Sequence, residues 1–386
     1  MPIVNRFEEL APEMTAWRRA FHRAPELLYD VQGTAAAVAE HLRSFGVDEV
    51  VTQVGRTGVV GVIRGRAPGP AIGLRADMDA LPILETTGKP WASAVPGRMH
   101  ACGHDGHMAM LLGAARHLAE TRNFAGSAVM IFQPAEEGGA GARAMIEDGL
   151  MERFGIRSVY GMHNVPGLPV GRFAIRSGPF LASCDTIVID LEGVGGHAAM
   201  PHLCADTVLA GAAIVQALQQ IVSRTIDPIA SAVVSITCFN AGHTDNVIPQ
   251  TARLVGTVRT LDRVVRDHVE GRLRRIVEAT AAAHGVRAAV DYQRDYPVLV
   301  NDVREAAFAA EVAREVAGVD KVDTAAAPEL GSEDFAFMLE ARPGAFIFVG
   351  NGDSAYLHHP DYDFDDEALA YGASYWVRLV ERALPA

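Results

Sequence analysis

A short stretch of this sequence, residues 98–107, concentrates side chains that bind soft and borderline metal ions. It reads RMHACGHDGH, with Cys102 and His104 at its centre. The two lie two positions apart, so in an extended loop both side chains can turn toward one point. An apolar pattern at helical spacing follows from Met108 and predicts a helix that holds the loop. Because so short a pattern also fits a reduced core cysteine beside capping residues, a metal site requires ligands from other segments.

Further acidic and histidine side chains follow the predicted buried strands. The strand at 71–75 leads to two aspartates, the strand at 127–133 to two glutamates, the strand at 158–162 to a histidine, and the strand at 345–349 to two histidines. They are Asp77, Asp79, Glu136, Glu137, His163, His358 and His359. Active sites of open parallel α/β sheets form at the carboxyl ends of the strands, so we expect these groups to converge.

Five of these side chains are candidate metal ligands, which is more than one catalytic zinc ion needs, because a tetrahedral site keeps a position for water. They are Cys102, His104, Glu137, His163 and His358. Two cations about 3.5–4 Å apart that share a ligand would explain the surplus, and such pairs catalyse hydrolysis. Glu136, beside Glu137, can then handle a proton. Taken alone, the glutamate pair also fits a solvated loop and His163 a core histidine, but their shared position at strand ends favours the site.

The elements around these residues predict an α/β fold with an insertion. Apolar runs without alternation predict a mixed, mostly parallel sheet with helices on both faces. The segment 185–296 differs, because its predicted order βαββαβ is that of a ferredoxin-like α+β sandwich. We therefore predict a catalytic domain in two parts, residues 1–184 and 297–386, with an inserted domain at 185–296 between them.

Composition excludes some classes of partner. The net charge is −13, from 47 acidic and 34 basic residues, which argues against a nucleic-acid partner. No stretch reaches the roughly 18 apolar residues of a membrane span, so we expect no membrane association. The amino terminus has no apolar segment typical of a signal peptide, and the four cysteines are sparse. We therefore expect reduced thiols and a cytoplasmic protein.

Seven motifs extend over nearly the whole chain. They are LRADMDALP (74–82), MHACGHDGH (99–107), QPAEEGG (133–139), GMH (161–163), GGHAAMPH (195–202), NVIP (246–249) and LHHP (357–360). In content and order they resemble the M20 metallopeptidase family, in its amidohydrolase branch with hippurate hydrolases, N-acyl-amino-acid deacylases and auxin-conjugate hydrolases. The resemblance implies a zinc-peptidase-like catalytic domain and makes the inserted domain a lid.

The resemblance also implies a pair of divalent cations in each subunit. Cys102 would bridge them, and four further residues would complete the two sites: His104, Glu137, His163 and His358. Cysteine and histidine suit zinc, nickel or cobalt, and glutamate also admits manganese, so the identity of the metal stays open.

Roles in catalysis and substrate binding follow from the same resemblance. Glu136 would be the general base that activates the bridging water and later protonates the leaving amine, and Asp79 would orient a ligand from behind. His197 would reach the active site of the neighbouring subunit and stabilise the oxyanion. Asn246 and Arg259 are candidates to hold the substrate carboxylate, since a guanidinium matches that group.

Some positions remain without an assigned role. Asp77 stands where other branches of the family have a metal-binding histidine, and His104 would supply that ligand instead. His359 adjoins His358, and the family spacing Leu-His-x-Pro favours His358. The loop at 331–335 is expected to face the substrate without an assigned chemical role. A structural role is preferred for three other histidines, namely His100, His107 and His202.

The first functional hypothesis is a two-metal amidohydrolase that cleaves N-acyl or N-aroyl amino acids, such as hippurate, to a carboxylic acid and an amino acid. The alternatives are a dipeptidase or carboxypeptidase of the same fold, and a non-catalytic metal-binding or ligand-sensing protein. The predicted strand at 231–240 could pair with its copy in another chain, so a homodimer or higher homo-oligomer through the inserted domain is expected.

Overall fold

The computed structural model describes residues 6–386, so the first five residues of the predicted catalytic domain lie outside it. The chain divides into two compact units. The first comprises Met1–Gly178, Val300–Ala327 and Asp334–Ala386, and the second comprises Pro179–Leu299 and Pro328–Glu333. The second unit extends beyond the predicted segment 185–296 at both ends, because its backbone also forms hydrogen bonds from Glu329 N–H to the Phe180 carbonyl and from Ala182 N–H to the Gly331 carbonyl.

Eleven α-helices occur in the described residues. They are α1 (Arg6–Arg23), α2 (Gln32–Ser44), α3 (His104–Thr121), α4 (Gly141–Glu147), α5 (Leu150–Arg153), α6 (Thr207–Leu218), α7 (Gln220–Thr225), α8 (Arg263–Ala283), α9 (Val303–Ala317), α10 (Phe335–Ala341) and α11 (Ala368–Ala383). Within residues 6–386, no helix combines the length and the apolar character that crossing a membrane requires.

The described residues form sixteen strands. They are β1 (Glu49–Val54), β2 (Gly58–Arg64), β3 (Ala67–Asp77), β4 (Ala125–Gln133), β5 (Ile156–Val165), β6 (Phe173–Ala174), β7 (Gly178–Leu181), β8 (Cys184–Glu192), β9 (Gly196–His197), β10 (Ala232–Ala241), β11 (Val247–Ile248), β12 (Thr251–Thr260), β13 (Arg287–Tyr296), β14 (Leu299–Asn301), β15 (Val322–Asp323) and β16 (Gly344–Gly350).

An eight-stranded sheet forms the centre of the first unit, in the order β1-β2-β4-β3-β5-β16-β6-β15. Its four middle strands, β4, β3, β5 and β16, are parallel, and β1, β2 and β4 pair antiparallel. The register places Asp77 opposite Gln133, and His163 opposite Phe348. The prediction of a mixed, mostly parallel sheet is confirmed, and the carboxyl ends of its middle strands lie at one edge.

The two faces of this sheet differ in character because side chains alternate along each strand. On one face, residues such as Leu74 and Met130 join a core built with α1, α2, α3, α9 and α11. The opposite face carries the next residues in the alternation, which include Arg75, Asp77 and Gln133, all of them buried. Polar groups that would be costly in the apolar core are thereby collected on one face, near the carboxyl edge.

The second unit has the element order β8-α6-α7-β10-β12-α8-β13 and an antiparallel sheet in the order β10-β12-β8-β13. This is the predicted ferredoxin-like sandwich. Asp206 and Asp262 cap α6 and α8 by accepting backbone N–H groups, and both helices pack on a core with Ile189 and Leu254. A small extra pair, β9 and β11, places His197 opposite Val247.

Candidate metal centre and active site

The loop that carries Cys102 and His104 is shaped by the glycine between them. Gly103 has φ +83°, and a Cβ added there would lie 2.2 Å from Asn164 Nδ2 and 2.4 Å from the Tyr362 hydroxyl. Glycine is therefore required both for the left-handed backbone and for the close approach. His104 then begins α3, and both neighbours of Gly103 are buried.

The five candidate ligands come together in two sets that share one residue. Cys102, His104 and His163 have ligand atoms that all lie within 4.8 Å of one another, and so do Cys102, Glu137 and His358. The Cys102 Sγ lies 3.4 Å from His163 Nε2, and Glu137 Oε1 lies 3.3 Å from His358 Nε2. The thiol thus stands between two groups of donors.

The donor set fits divalent cations. His104 Nε2 is buried and has no hydrogen-bond partner in the protein, while it faces Glu137 Oε1 at 3.9 Å. A buried ring nitrogen without a hydrogen-bond partner, close to a thiol and a carboxylate, needs an explanation, and binding to a metal ion would provide one. One sulfur, three imidazoles and one carboxylate suit first-row transition metals.

The pKa values of the candidate ligands also support a cation site. Burial, with the nearby Glu137 and Glu136 carboxylates, raises the pKa of the Cys102 thiol well above its usual value. Burial lowers the pKa of His104, but Asp77, Asp79 and Glu137 outweigh it and raise that pKa to about 10. The pocket therefore attracts positive charge, and a divalent cation would replace the protons that these groups otherwise hold.

Two of the candidate histidine ligands are held in place by a hydrogen bond at the second ring nitrogen. His104 Nδ1 lies 2.7 Å from the Asp79 carbonyl, and His163 Nδ1 lies 2.7 Å from the Asn164 carbonyl. With Nδ1 donating to a carbonyl, each imidazole presents Nε2 to the centre of the site, which is the usual arrangement behind metal-binding histidines.

Asp77 lies beside the candidate ligands, and one of its oxygens is within 4.8 Å of ligand atoms of His104 and His107. Its two oxygens accept from Arg75 Nη1 at 2.6 Å and from His107 Nδ1 at 2.6 Å. The Arg75 and histidine charges overcome the effect of burial and hold the pKa of this carboxyl well below its usual range. His107 Nε2 in turn accepts from the backbone N–H of Asn164 at 3.0 Å, so the preferred structural role of His107 agrees with its contacts.

Asp79 organises the turn that follows β4. Its carboxylate accepts the backbone N–H of Glu136 at 3.0 Å and that of Glu137 at 3.1 Å. Both glutamates are thereby fixed in a tight turn that contains Ala135 at φ +53° and Gly138 at φ +101°. Asp79 therefore orients the glutamates through its carboxylate and His104 through its carbonyl, and its own pKa is raised by burial.

Glu136 faces the ligand sets from the adjoining position. The residue is 7% exposed, and a carboxylate oxygen lies within 4.8 Å of ligand atoms of His104 and Glu137. The backbone N–H of Asp334 donates to Glu136 Oε1 at 3.4 Å. A buried carboxylate beside the candidate ligands can exchange a proton with a group held there.

The structure distinguishes the two adjacent histidines. His358 joins the set of Cys102 and Glu137, and its N–H donates to the Ala101 carbonyl at 2.8 Å. Its backbone has φ +67°, a strained conformation for a residue with a side chain. His359 belongs to none of the potential metal-binding groups in residues 6–386, and its Nδ1 accepts the N–H of Asp361.

Three predicted site residues belong to the second unit. His197 and Asn246 are exposed, and His197 Nδ1 accepts the N–H of Ala199 at 3.1 Å. Arg259 Nη1 donates to Thr257 Oγ1 at 2.5 Å and lies 2.7 Å from Cys184 Sγ. Their roles in substrate binding and oxyanion stabilisation remain predictions.

Several supporting residues were missed by sequence reasoning. Asn164 donates to the Cys102 carbonyl at 2.8 Å, contacts His107, and accepts from the Tyr362 hydroxyl at 2.7 Å. Arg75 lies within a predicted buried strand, where an arginine is rare unless it is paired, and this was a usable signal. Asn164 had only its position after His163 to mark it.

The chain is similar to known proteins over most of its length. The sequence model of peptidase family M20/M25/M40 matches residues 73–382. The chain is 42% identical over 384 residues to a hippurate hydrolase of Campylobacter jejuni, with 100% of both chains covered. It is 39% identical over 387 residues to thermostable carboxypeptidase 2 of Saccharolobus solfataricus, with 97% of each covered.

A solved structure is also similar over nearly the full length. The YXEP protein of Bacillus subtilis, described as a dinuclear metal-binding peptidase of the M20 family, matches with a TM-score of 0.85 and 36% identity. The match covers 98% of this chain and 99% of that one. With the family model, the full-length relatives and the shared fold in agreement, the chain belongs to peptidase family M20/M25/M40.

Proposed function

We propose that this protein is a two-metal amidohydrolase that cleaves the amide bond of N-acyl or N-aroyl amino acids. The products are a carboxylic acid and a free amino acid. The observation that carries the proposal is the pair of ligand sets that share Cys102, with Glu136 beside them. The full-length similarity to a hippurate hydrolase supports this substrate class, since hippurate is an N-aroyl amino acid.

The ligands are assigned from the two sets. Cys102 would contact both cations, His104 and His163 would hold one, and Glu137 and His358 the other. When bound, the cations polarise the amide carbonyl and make water a better nucleophile near neutral pH. Zinc, manganese, cobalt and nickel all remain candidates, because thiolate, imidazole and carboxylate ligands are mixed.

The proton transfers are assigned to Glu136. Its carboxylate takes a proton from the attacking water and delivers it to the leaving nitrogen, so one group serves as base and then as acid. Asp79 keeps Glu136 and Glu137 in register through the two backbone N–H groups that it accepts. The backbone positions of Glu136 and Glu137 are therefore coupled through one carboxylate.

The second unit is proposed to supply the remaining contacts. His197 would stabilise the oxyanion, and Asn246 and Arg259 would hold the substrate carboxylate. The strand β10 lies at the edge of its sheet, which supports pairing with a second copy and hence a homodimer. A cytoplasmic location is proposed from the four cysteines, all of which are free.

The test is the variant Glu136→Gln, which preserves the size of the side chain but cannot accept the proton. It is expected to keep two metal ions per chain and to lose about 10²–10⁴-fold in kcat on hippurate and N-acetyl amino acids. Metal content and turnover are measured on the same preparation. A metal-loaded wild type without turnover on any N-acyl amino acid or dipeptide would instead favour a metal-binding or sensing protein.

A carboxypeptidase or dipeptidase is the second candidate, favoured by the similarity to thermostable carboxypeptidase 2. The two activities differ in what lies on the amino side of the bond. Dipeptides with a free amino terminus are therefore compared with the same sequences blocked by an acetyl or benzoyl group. Faster cleavage of the unblocked series would transfer the assignment to a peptidase.

A further inference from the structure

A buried arginine joins two carboxylates on the polar face of the sheet. Arg75 donates from Nη1 to Asp77 at 2.6 Å, from Nη2 to Asp334 at 3.1 Å, and from Nε to Gln133 Oε1 at 2.8 Å. The arginine and both carboxylates have side chains that are 0% exposed. A guanidinium presents five N–H donors in a rigid planar fork, so it holds these three acceptors in a fixed geometry that the rotatable ammonium of a lysine does not impose.

Asp334 is held from several directions. Besides Arg75, its carboxylate accepts Gln133 Nε2 at 2.8 and 3.0 Å, and the backbone N–H of Ala142 at 2.9 Å. These partners belong to β3, β4 and α4, so one carboxylate connects three elements of the first unit. Asp334 precedes α10 in the loop at 331–335, to which the motifs assigned no chemistry.

The same residue contacts the proposed base. The Asp334 N–H donates to Glu136 Oε1 at 3.4 Å, and one carboxylate oxygen of Asp334 lies within 4.8 Å of one of Glu136. Two carboxylates this close in a buried site repel each other unless a cation compensates, and Arg75 supplies that charge. The side chain of Asp334 is thus anchored to Arg75 and Gln133 while its backbone N–H faces Glu136.

We propose that Asp334, anchored by Arg75 and Gln133, is a positioning residue that sets the orientation of Glu136 for proton transfer. Asp334 does not touch the reacting atoms, and it acts through the backbone N–H that Glu136 accepts. The inference rests on the proposed function, because it specifies how the base of that reaction is held. A misplacement of about 1 Å in a catalytic group is enough to cost 10²-fold in rate.

The first test is Asp334→Asn, which keeps the size and removes the charge that Arg75 and the two N–H donors face. We expect kcat on hippurate, or on the best N-acyl substrate, to fall about 10–100-fold, with KM within twofold. Metal affinity, measured by chelator competition, is expected to stay within threefold, because the hydrogen bonds described for Asp334 go to Arg75, Gln133, Ala142 and Glu136. A kcat within twofold of wild type in folded Asp334→Asn would overturn the proposal.

To separate a positioning role from a structural role, Asp334→Asn is also made in the Glu136→Asp variant. In that variant the carboxylate of the base is already displaced, because the side chain is shorter. If Asp334 acts through Glu136, Asp334→Asn costs less than threefold in that background. The same 10–100-fold loss in both backgrounds would contradict the proposal.

Gln133→Met is the second variant, used if Asp334→Asn does not fold. It removes the amide donor to Asp334 and leaves the arginine pair, and a smaller loss of kcat with unchanged KM is expected; an unchanged kcat would contradict the anchoring.

The matched control is Asp366→Asn. Asp366 also accepts from arginines, Arg18 Nε at 2.8 Å and Arg19 Nη2 at 2.8 Å, and both of these arginines belong to α1. It is expected to lower stability and leave kcat unchanged, and an equal loss of kcat in this control would assign both effects to general loosening. If wild type cleaves no N-acyl substrate, the proposed function fails; if wild type is active and Asp334→Asn keeps its kcat, only the positioning role fails.

Discussion

The substitution Gly103→Ala isolates the packing that shapes the metal loop. Gly103 lies between two proposed ligands, Cys102 and His104, with φ +83°. An added methyl group would lie 2.2 Å from Asn164 Nδ2 and 2.4 Å from the Tyr362 hydroxyl, both shorter than any normal contact. Either the loop or Asn164 must move.

The expected cost follows from the contacts that are lost. A left-handed alanine costs roughly 1 kcal/mol by itself. Displacing Asn164 also disturbs its hydrogen bonds to the Cys102 carbonyl, His107 Nε2 and the Tyr362 hydroxyl, at 2.8, 3.0 and 2.7 Å. Each buried group left without a partner costs about 1–3 kcal/mol, so with the lower value for all three bonds the total is at least about 4 kcal/mol. Gly97→Ala is the control, because Gly97 has φ +78° and no heavy atom within 4 Å of the added Cβ, and about 1 kcal/mol is expected.

Urea unfolding followed by tryptophan fluorescence measures both variants. The three tryptophans of the chain, Trp17, Trp91 and Trp376, all belong to the first unit, so the signal reports on the unit that carries the loop. The metal affinity of Gly103→Ala is expected to fall about 10–100-fold, since the supports of two ligands move. Equal losses of unfolding free energy in Gly103→Ala and Gly97→Ala would refute the reasoning, because only the backbone conformation would then matter.

Two further predictions concern neighbouring histidines and pH. His358→Gln is expected to lose one of two bound metal ions, because His358 joins one ligand set, whereas His359→Gln keeps both; equal metal content by elemental analysis would contradict the assignment. For His22, burial is outweighed by Asp105, which raises its pKa from 6.5 to about 9. Protonated His22, paired with Asp105, therefore stabilises the fold fully below pH 6.5. On the order of 3 kcal/mol of unfolding free energy is lost as the pH rises through 9. His22→Gln is expected to lack this pH dependence in urea unfolding. The same decline of unfolding free energy between pH 6.5 and 9 in wild type and variant would show that His22 is not its cause.

Much of the site could be predicted because its chemistry resides in residue types at the ends of recognisable elements. The types and spacing of Cys102 and His104 predict a metal-binding loop, and Glu137 and His163 each follow a buried apolar strand. Parallel strands place their carboxyl ends at one edge, so a list of strand ends is already a list of neighbours. The ferredoxin-like insertion was equally accessible, because the order of its strands and helices is a local property of the chain.

The supports of the site depended on the tertiary structure. Asn164, Asp334 and the role of Asp77 are defined by hydrogen bonds between segments as much as 259 residues apart, as from Arg75 to Asp334, and no local pattern encodes such pairs. The family spacing already favoured His358 over His359, and the structure adds that His358 has φ +67° and that its Nε2 lies 3.3 Å from Glu137 Oε1. The type of a side chain decides whether it can bind a metal, and this can be read from the sequence. Its orientation depends on close packing against distant segments, and only the folded chain provides these contacts.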